Sequence, residues 1–131
     1  MKNAKEHSNM PKNIFIVVNV DSFFLSHRKE IALAAKQNGF DVSIIAHDTG
    51  KKKEIETLGF QFIDLPNVKS IQNVFKEFRI LVFLFSLYKK NKPDIVHHVG
   101  LKIILYGTTA AKFSGVKNIV NAVSGLGIFF S

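Results

Sequence analysis

Five short apolar runs, each passed to the next through a stretch of helical character, constrain this fold more than any other feature of the chain. They are "NIFIVVNV" (Asn13 to Val20), "DVSIIAH" (Asp41 to His47), "FQFIDL" (Phe60 to Leu65), "DIVHHV" (Asp94 to Val99) and "NIVNAV" (Asn118 to Val123). All are strand-length, and all but "FQFIDL" are rich in β-branched residues. The first is apolar almost without alternation, as a strand covered on both faces must be. Between the runs lie Ser26 to Gly39, "KKKEIETLG" closed by Gly59, a long segment from about Ile71 to Asn91, and "KIILYGTTAAKFSG". Gly39 falls where a helix C-cap belongs, "DTG" marks a turn, and Pro66 and Pro93 bracket the long helix. Strands alternating with helices form βαβ units with right-handed crossovers. The expected fold is α/β, a parallel sheet of about five strands with helices on both faces.

Its length of 131 residues suits one domain. Residues 1–12 read as a flexible tail ended by Pro11, and 13–131 as the domain. With no cysteine, disulfides and thiolate metal sites are excluded. The N-terminus lacks the apolar centre of a secretory signal. "ILVFLFSLY" (Ile80 to Tyr88) falls far below the roughly 20 residues of a membrane-spanning helix. A net charge of +8 favours an anionic partner: nucleic acid, a phosphorylated substrate or an acidic membrane. The lysines are scattered and no nucleic-acid module is present, so nucleic acid ranks last.

Chemistry is first expected at the turn after the first strand, "NVDSFFLSHR". A dinucleotide fold would place a glycine-rich loop here, and this turn has none. It carries Asp21, two phenylalanines, Ser26, His27 and Arg28, at the sheet edge where ligands of such folds bind. A helix N-terminus and a guanidinium both favour phosphate or carboxylate. Equally, Ser26 could cap the helix, the phenylalanines could pack, and His27 could be merely exposed.

Three further stretches draw notice. His97 and His98 are strand neighbours, so they point to opposite faces and cannot readily share a metal. One is expected under a helix; the other could face the cleft as a base or a donor to a sugar hydroxyl. The glycines of "VSGLG" allow close approach of a ligand or simply a tight turn. In the long helix, Ile71, Val74, Phe75, Phe78, Val82 and Phe85 form the expected core stripe, while Ile80, Phe83, Leu84 and Leu87 make its second half apolar nearly all round. Lys76, Arg79, Lys89, Lys90 and Lys92 flank that half, which suits an anionic bilayer surface or burial against another part of the protein.

"NVDSFFLSHRKEIALAAKQNGFDV", "DTGKKKEIETLGFQFIDLP", "KPDIVHHVGLKIILYG" and "NAVSGLGIFF", in this order, resemble the N-terminal domain of GT-B glycosyltransferases. More narrowly, they resemble the retaining, glycosyltransferase 4-like group that builds bacterial surface polysaccharides. The resemblance covers about residues 13–130, with "FFLSHR" and "NAVSGLG" its more specific parts. It implies one Rossmann-like half of a two-domain enzyme. This half would bind the acceptor, commonly a glycan on a polyprenyl-pyrophosphate lipid, and a second domain would bind the nucleotide-sugar donor. The expected reaction retains anomeric configuration, with no cofactor and no obligatory metal, at the cytoplasmic face of the membrane.

Carried over by position, Asn19, Asp21, Phe24, His27 and Arg28 match the group's first loop. His98 and Lys102 match its fourth-strand segment, and Ser124, Gly125 and Gly127 its fifth-strand turn. His98 and Asp21 are the expected catalytic residues and the others the acceptor and sugar contacts. Many relatives carry threonine and proline around the lysine, where this chain has Gly100 and Ile103, and many have a glycine-rich first loop, absent here. The expected partners are a nucleotide-sugar, a lipid-linked glycan, an anionic membrane met through Arg79, Lys89, Lys90 and Lys92, and a donor-binding domain or separate chain. The alternative is a non-catalytic acceptor- or membrane-binding subunit of a split enzyme.

Overall fold

A computed structural model describes residues 12–66 and 74–123, with backbone alone for 74–76. Strand β1 (Asn13–Val20) runs directly into α1 (Asp21–Phe23), a π-helical turn (Phe24–Arg28) and α2 (Lys29–Gln37). There follow β2 (Asp41–His47), α3 (Lys52–Thr57), β3 (Gln61–Asp64), α4 (Val74–Asn91), β4 (Ile95–Val99), α5 (Leu101–Ser114) and β5 (Asn118–Ala122). The tail up to residue 11, Ile71, and the turn with Ser124, Gly125 and Gly127 lie outside the described residues.

All five strands pair in parallel, in the order β3-β2-β1-β4-β5. The expected α/β parallel sheet is therefore what the chain forms. From β1 the chain winds to one side, then crosses to the other, so the strand order reverses between β1 and β4. Such a switch point leaves a crevice beyond the strand carboxyl ends.

Strand alternation divides the core into two layers. Phe15, Val17, Ile45 and Val96 pack with Ile80, Leu84, Tyr88 and Ile103 of α4 and α5. Ile16, Val18, Val42, Ile44 and Phe62 pack on the opposite face with Phe24, Ala32 and Ile55. Glycine is required where α5 crosses β4, since a Cβ on Gly107 would lie 2.3 Å from the His98 ring.

Two elements depart from expectation. The first helix starts at Asp21, not at Ser26. Phe24, read as part of a turn, is fully buried in the helical segment and meets Phe60 edge-on at 5.7 Å. Ser26 is consequently internal, and its hydroxyl donates to the Phe23 carbonyl at 3.2 Å rather than capping the helix. In α4 the buried stripe is Ile80, Leu84 and Tyr88, while Phe78 and Val82 are 59% and 45% exposed. A helix apolar nearly all round does not fix its own rotation. Here the rotation places the Tyr88 hydroxyl against its buried partner His98 on β4.

Candidate functional site

At the carboxyl end of β1, Asn19 is exposed beside Gly100, which opens the connection from β4 to α5. Gly100 has φ +98°, a conformation open to glycine, and a Cβ there would lie 3.9 Å from Asn19 Nδ2. Asp21 follows immediately and is fully buried. Its carboxylate accepts from the backbone N–H groups of Ser22 (2.8 Å), Thr49 (2.7 Å) and Lys51 (2.9 Å), and from the Thr49 hydroxyl. Burial alone would push its pKa up, but the bonds from Thr49, Lys51 and Ser22 outweigh that and hold it below the usual value. Asp21 thus ties the loop after β1 to the loop after β2, with its acceptor positions filled.

The next residues form an aromatic platform. Phe23 and the exposed His27 stack, with ring centroids 4.3 Å apart and planes within 11°. His27 Nδ1 is 2.7 Å from Ser26 Oγ, whose own proton goes to the Phe23 carbonyl. That arrangement makes Nδ1 the donor and leaves Nε2 an acceptor. Such a stack suits the apolar face of a sugar ring. Phe24, the phenylalanine expected at the site, is in the core, and its neighbour Phe23 takes the surface position.

The histidine pair of β4 separates by face. His98 is fully buried between the sheet and the α4–α5 layer. Its Nε2 meets the Tyr88 hydroxyl at 2.8 Å, and its Nδ1 meets Asn121 Oδ1 at 3.0 Å. Asn121 Nδ2 donates onward to Thr108 Oγ1 at 3.1 Å. This orients the amide and makes Nδ1–H the donor to it, with Nε2 accepting from Tyr88. Burial depresses the His98 pKa to about 4; the Asn121 bond opposes the shift and the charge of His97 adds to it. With both ring nitrogens engaged and no surface exposed, His98 joins α4, β4, β5 and α5.

His97 faces the opposite layer, half-buried, with Nδ1 3.2 Å from the Val120 carbonyl. Since a carbonyl only accepts, Nδ1 carries the hydrogen and Nε2 the lone pair; Nε2 is buried without a partner. Burial lowers its pKa; the Val120 bond resists this, and the charge of Arg28 lowers it further. Arg28 ends the π-helical turn, its Nη1 3.5 Å from the His27 carbonyl and its Nε buried without a partner. Period-two alternation requires one histidine of the pair to face this layer but does not say which.

Lys102 opens α5 with its ammonium 3.6 Å from Glu77 Oε1, an oxygen that also accepts from the Tyr106 hydroxyl. The Glu77 bond, helped by burial, raises the Tyr106 pKa to about 12. His47, not expected at the site, ends β2 with Nδ1 3.9 Å from Asp64 Oδ1. Among the described residues no three His, Asp or Glu side chains gather closely enough to hold a metal ion.

These groups lie along the carboxyl ends of β1, β2 and β4. A cavity of about 420 Å³, lined by Tyr88, Lys92, Asp94 and Ser114 among others, is at the opposite edge of the sheet. We assign the site to the carboxyl rim, where open α/β sheets bind ligands.

The family model described as "Glycosyl transferase 4-like" matches residues 13–131. Over 86 residues the chain is 29% identical to the Escherichia coli UDP-Gal:alpha-D-GlcNAc-diphosphoundecaprenol alpha-1,3-galactosyltransferase, covering 66% of this chain and 22% of that one. In structure it is similar to MurG of Acinetobacter baumannii, with a TM-score of 0.65 and 17% identity over 85% of this chain and 35% of that one. It is also similar to the C-terminal domain of a Pyrococcus furiosus hydrogenase, with a TM-score of 0.67 and 18% identity over 86% and 91% of the two chains. A fold shared with a hydrogenase domain does not by itself select a chemistry. The chain spans about a fifth of the length of the curated relative.

Proposed function

Because this chain belongs to the glycosyl transferase 4-like family, we propose that it supplies the acceptor-binding half of a retaining GT-B glycosyltransferase. The substrate proposed is a glycan on a polyprenyl diphosphate, the class named in the Escherichia coli relative. A nucleotide-sugar donor would be held by a second domain or a separate chain. The observation that carries the reading is the turn after β1. It offers the Phe23–His27 platform, exposed Asn19 and half-buried Arg28, with no glycine cradle for a nucleotide. Arg28, and Lys102 held by Glu77, would meet the diphosphate charge without a metal.

In this reading Asp21 and His98 are positioning residues. Asp21 fixes the rim loops and His98 fixes the α4–α5 layer beneath them. Ser124, Gly125 and Gly127 complete the acceptor contacts.

The outer face of α4 and α5 is proposed to rest on the anionic inner surface of the cell membrane. An apolar groove there is lined by Leu81, Val82, Phe85, Ala110 and Phe113, with Phe113 77% exposed. Lys89 lies 5.7 Å from the Phe85 ring centroid, and Arg79, Lys90, Lys92 and Lys112 are exposed nearby in sequence. Apolar side chains edged by cations suit an anionic interface. No described helix is long and apolar enough to cross the membrane.

The test is an NMR titration with a short-chain polyprenyl-diphosphate-linked GlcNAc, beside one with UDP-galactose. Shifts confined to the lipid-linked sugar, centred on Phe23, His27 and Arg28 and unchanged by EDTA, are expected. Tight binding of UDP-galactose alone would assign this chain to the donor side and overturn the proposal.

A further inference from the structure

The outer seam between α4 and α5 is polar at one end and apolar at the other. Lys102, Tyr106, Ala110 and Phe113 recur at helical spacing and share one face of α5. Glu77, Leu81 and Phe85 share one face of α4 in the same way. The two faces meet. At the head of the seam Glu77 accepts from the Tyr106 hydroxyl and pairs with the Lys102 ammonium. Farther down, Leu81, Val82 and Phe85 line a groove with Ala110 and Phe113. Both helices begin at the carboxyl rim, because each follows the end of a strand in the parallel sheet and returns against it. At 1.5 Å per residue, Ala110 and Phe113 lie roughly 12–16 Å beyond Lys102 along α5.

The groove holds about 330 Å³, within the size range of small-ligand pockets, and every side chain lining it is apolar. Ala110 is fully buried yet lines it, whereas Val82 and Phe113 stand exposed beside it. Shape therefore separates its possible apolar occupants. A bilayer surface covers the side chains that stand proud but does not reach a recessed alanine; a single hydrocarbon chain does. No lining side chain can hydrogen-bond, so an extended peptide would leave its backbone groups unpaired there. Continuity points the same way. The groove lies directly below a cation–carboxylate–phenol cluster, so a ligand lying along the seam is charged at one end and apolar at the other.

We propose that the α4–α5 groove seats the first isoprene units of the acceptor's own polyprenyl chain, with the diphosphate toward the Lys102 end of the seam. This rests on the acceptor-half reading above and makes the hydrocarbon chain itself a recognised part of the ligand. Ala110 leaves room for the chain, with the partly buried Leu81 and Phe85 and the exposed Val82 and Phe113 around it. At the far end Lys89, 5.7 Å from the Phe85 ring centroid, and exposed Lys112 stay with the lipid headgroups from which the chain emerges. The groove is finite, so it reads the units nearest the diphosphate and leaves the rest in the bilayer.

The test measures binding by calorimetry in free solution, without vesicles or detergent. The ligands are GlcNAc diphosphates carrying a methyl, prenyl, geranyl or farnesyl tail, each kept below its micelle concentration. Each buried CH₂ is worth roughly fourfold in affinity, so the farnesyl compound should bind at least about 100-fold more tightly than the methyl one, with the gain levelling off once the groove is full. Val82→Ser and Phe113→Ser, both at exposed positions, are checked for folding by circular dichroism, and either one suffices. Each should cut the farnesyl-to-methyl ratio at least roughly fivefold. If the wild type binds every tail alike, the face is a bilayer contact only, and the inference falls while the acceptor reading stands. A ratio unchanged in both variants puts the tail elsewhere, with the same consequence. If no compound of any tail length binds, the acceptor reading fails, and this inference fails with it.

Discussion

The His98 network makes a quantitative claim about acid stability. In the folded chain the imidazole is neutral, donating to Asn121 and accepting from Tyr88, and burial holds its pKa at about 4 against an ordinary value of 6.5. The unfolded chain therefore binds the proton first as pH falls. The sign follows: this contribution is fully present above pH 6.5 and is lost progressively as pH drops toward 4. Each pH unit in that window is worth about 1.4 kcal/mol, so the whole loss is roughly 3 kcal/mol. Against a typical domain stability of about 5–15 kcal/mol, this is a decisive fraction. The assay is urea denaturation followed by circular dichroism at half-unit intervals from pH 7.5 to 4.5, on the wild type and on His98→Gln. Carboxylates and the other histidines titrate in both proteins, so the difference between them isolates His98. The wild-type advantage should be constant above pH 6.5 and shrink below it by about 1.4 kcal/mol per unit. Parallel curves across the window would refute the buried neutral imidazole.

Three other expectations follow from the packing. Asp21→Asn preserves shape but sets an amide N–H₂ against the N–H donors of Thr49 and Lys51, so it should destabilise by about 2–3 kcal/mol in a thermal or urea melt; an unchanged melt would mean the rim loops do not depend on the carboxylate. Gly107→Ala drives a methyl into the His98 ring and should cost about 1–3 kcal/mol, measurable in the same melts, with wild-type stability counting against the tight α5–β4 closure. Reversing Lys89 and Lys90 to glutamate should weaken sedimentation with vesicles rich in anionic lipid by at least roughly 30-fold, and Phe113→Asp should do so even in low salt; sedimentation unaffected by either would take the α4–α5 face off the membrane.

The architecture was legible because it depends on local periodicity. β-branched runs with helix formers and closing glycines between them gave all five strands within a residue or two of their ends. Rotation and register were less so, since these are settled between elements. The apolar second half of α4 offered more than one face, and Tyr88 finding His98 selected Ile80 and Leu84 over Phe78 and Val82. The partners of Asp21 lie 28 and 30 residues away, beyond any local pattern. The polar, aromatic turn stands out in the sequence, yet its helix begins at Asp21, and Phe24 is buried while Phe23 is only partly so. No residue type announces a π-helical turn, so nothing in "FFLSHR" showed that Arg28 would end on a buried face.

What separates frame from site at this rim is hydrogen-bond saturation. Asp21 has four donors on its two oxygens and His98 a partner on each ring nitrogen, so removing either strands several groups and weakens the fold. Arg28 Nε, His97 Nε2 and His47 Nδ1 have no such partners, so the folded chain already bears the cost of their burial. Replacing an unsatisfied buried group by an apolar one of similar shape is neutral or stabilising, whereas replacing a satisfied one is not. Arg28→Met should therefore melt at or above the wild-type temperature while weakening acceptor binding, and Asp21→Asn should lower the melt. A binding group retained at the expense of stability is what a functional site looks like energetically. Were Arg28→Met to melt several degrees lower, its guanidinium would be part of the frame, and the division drawn here between the two sets of residues would be wrong.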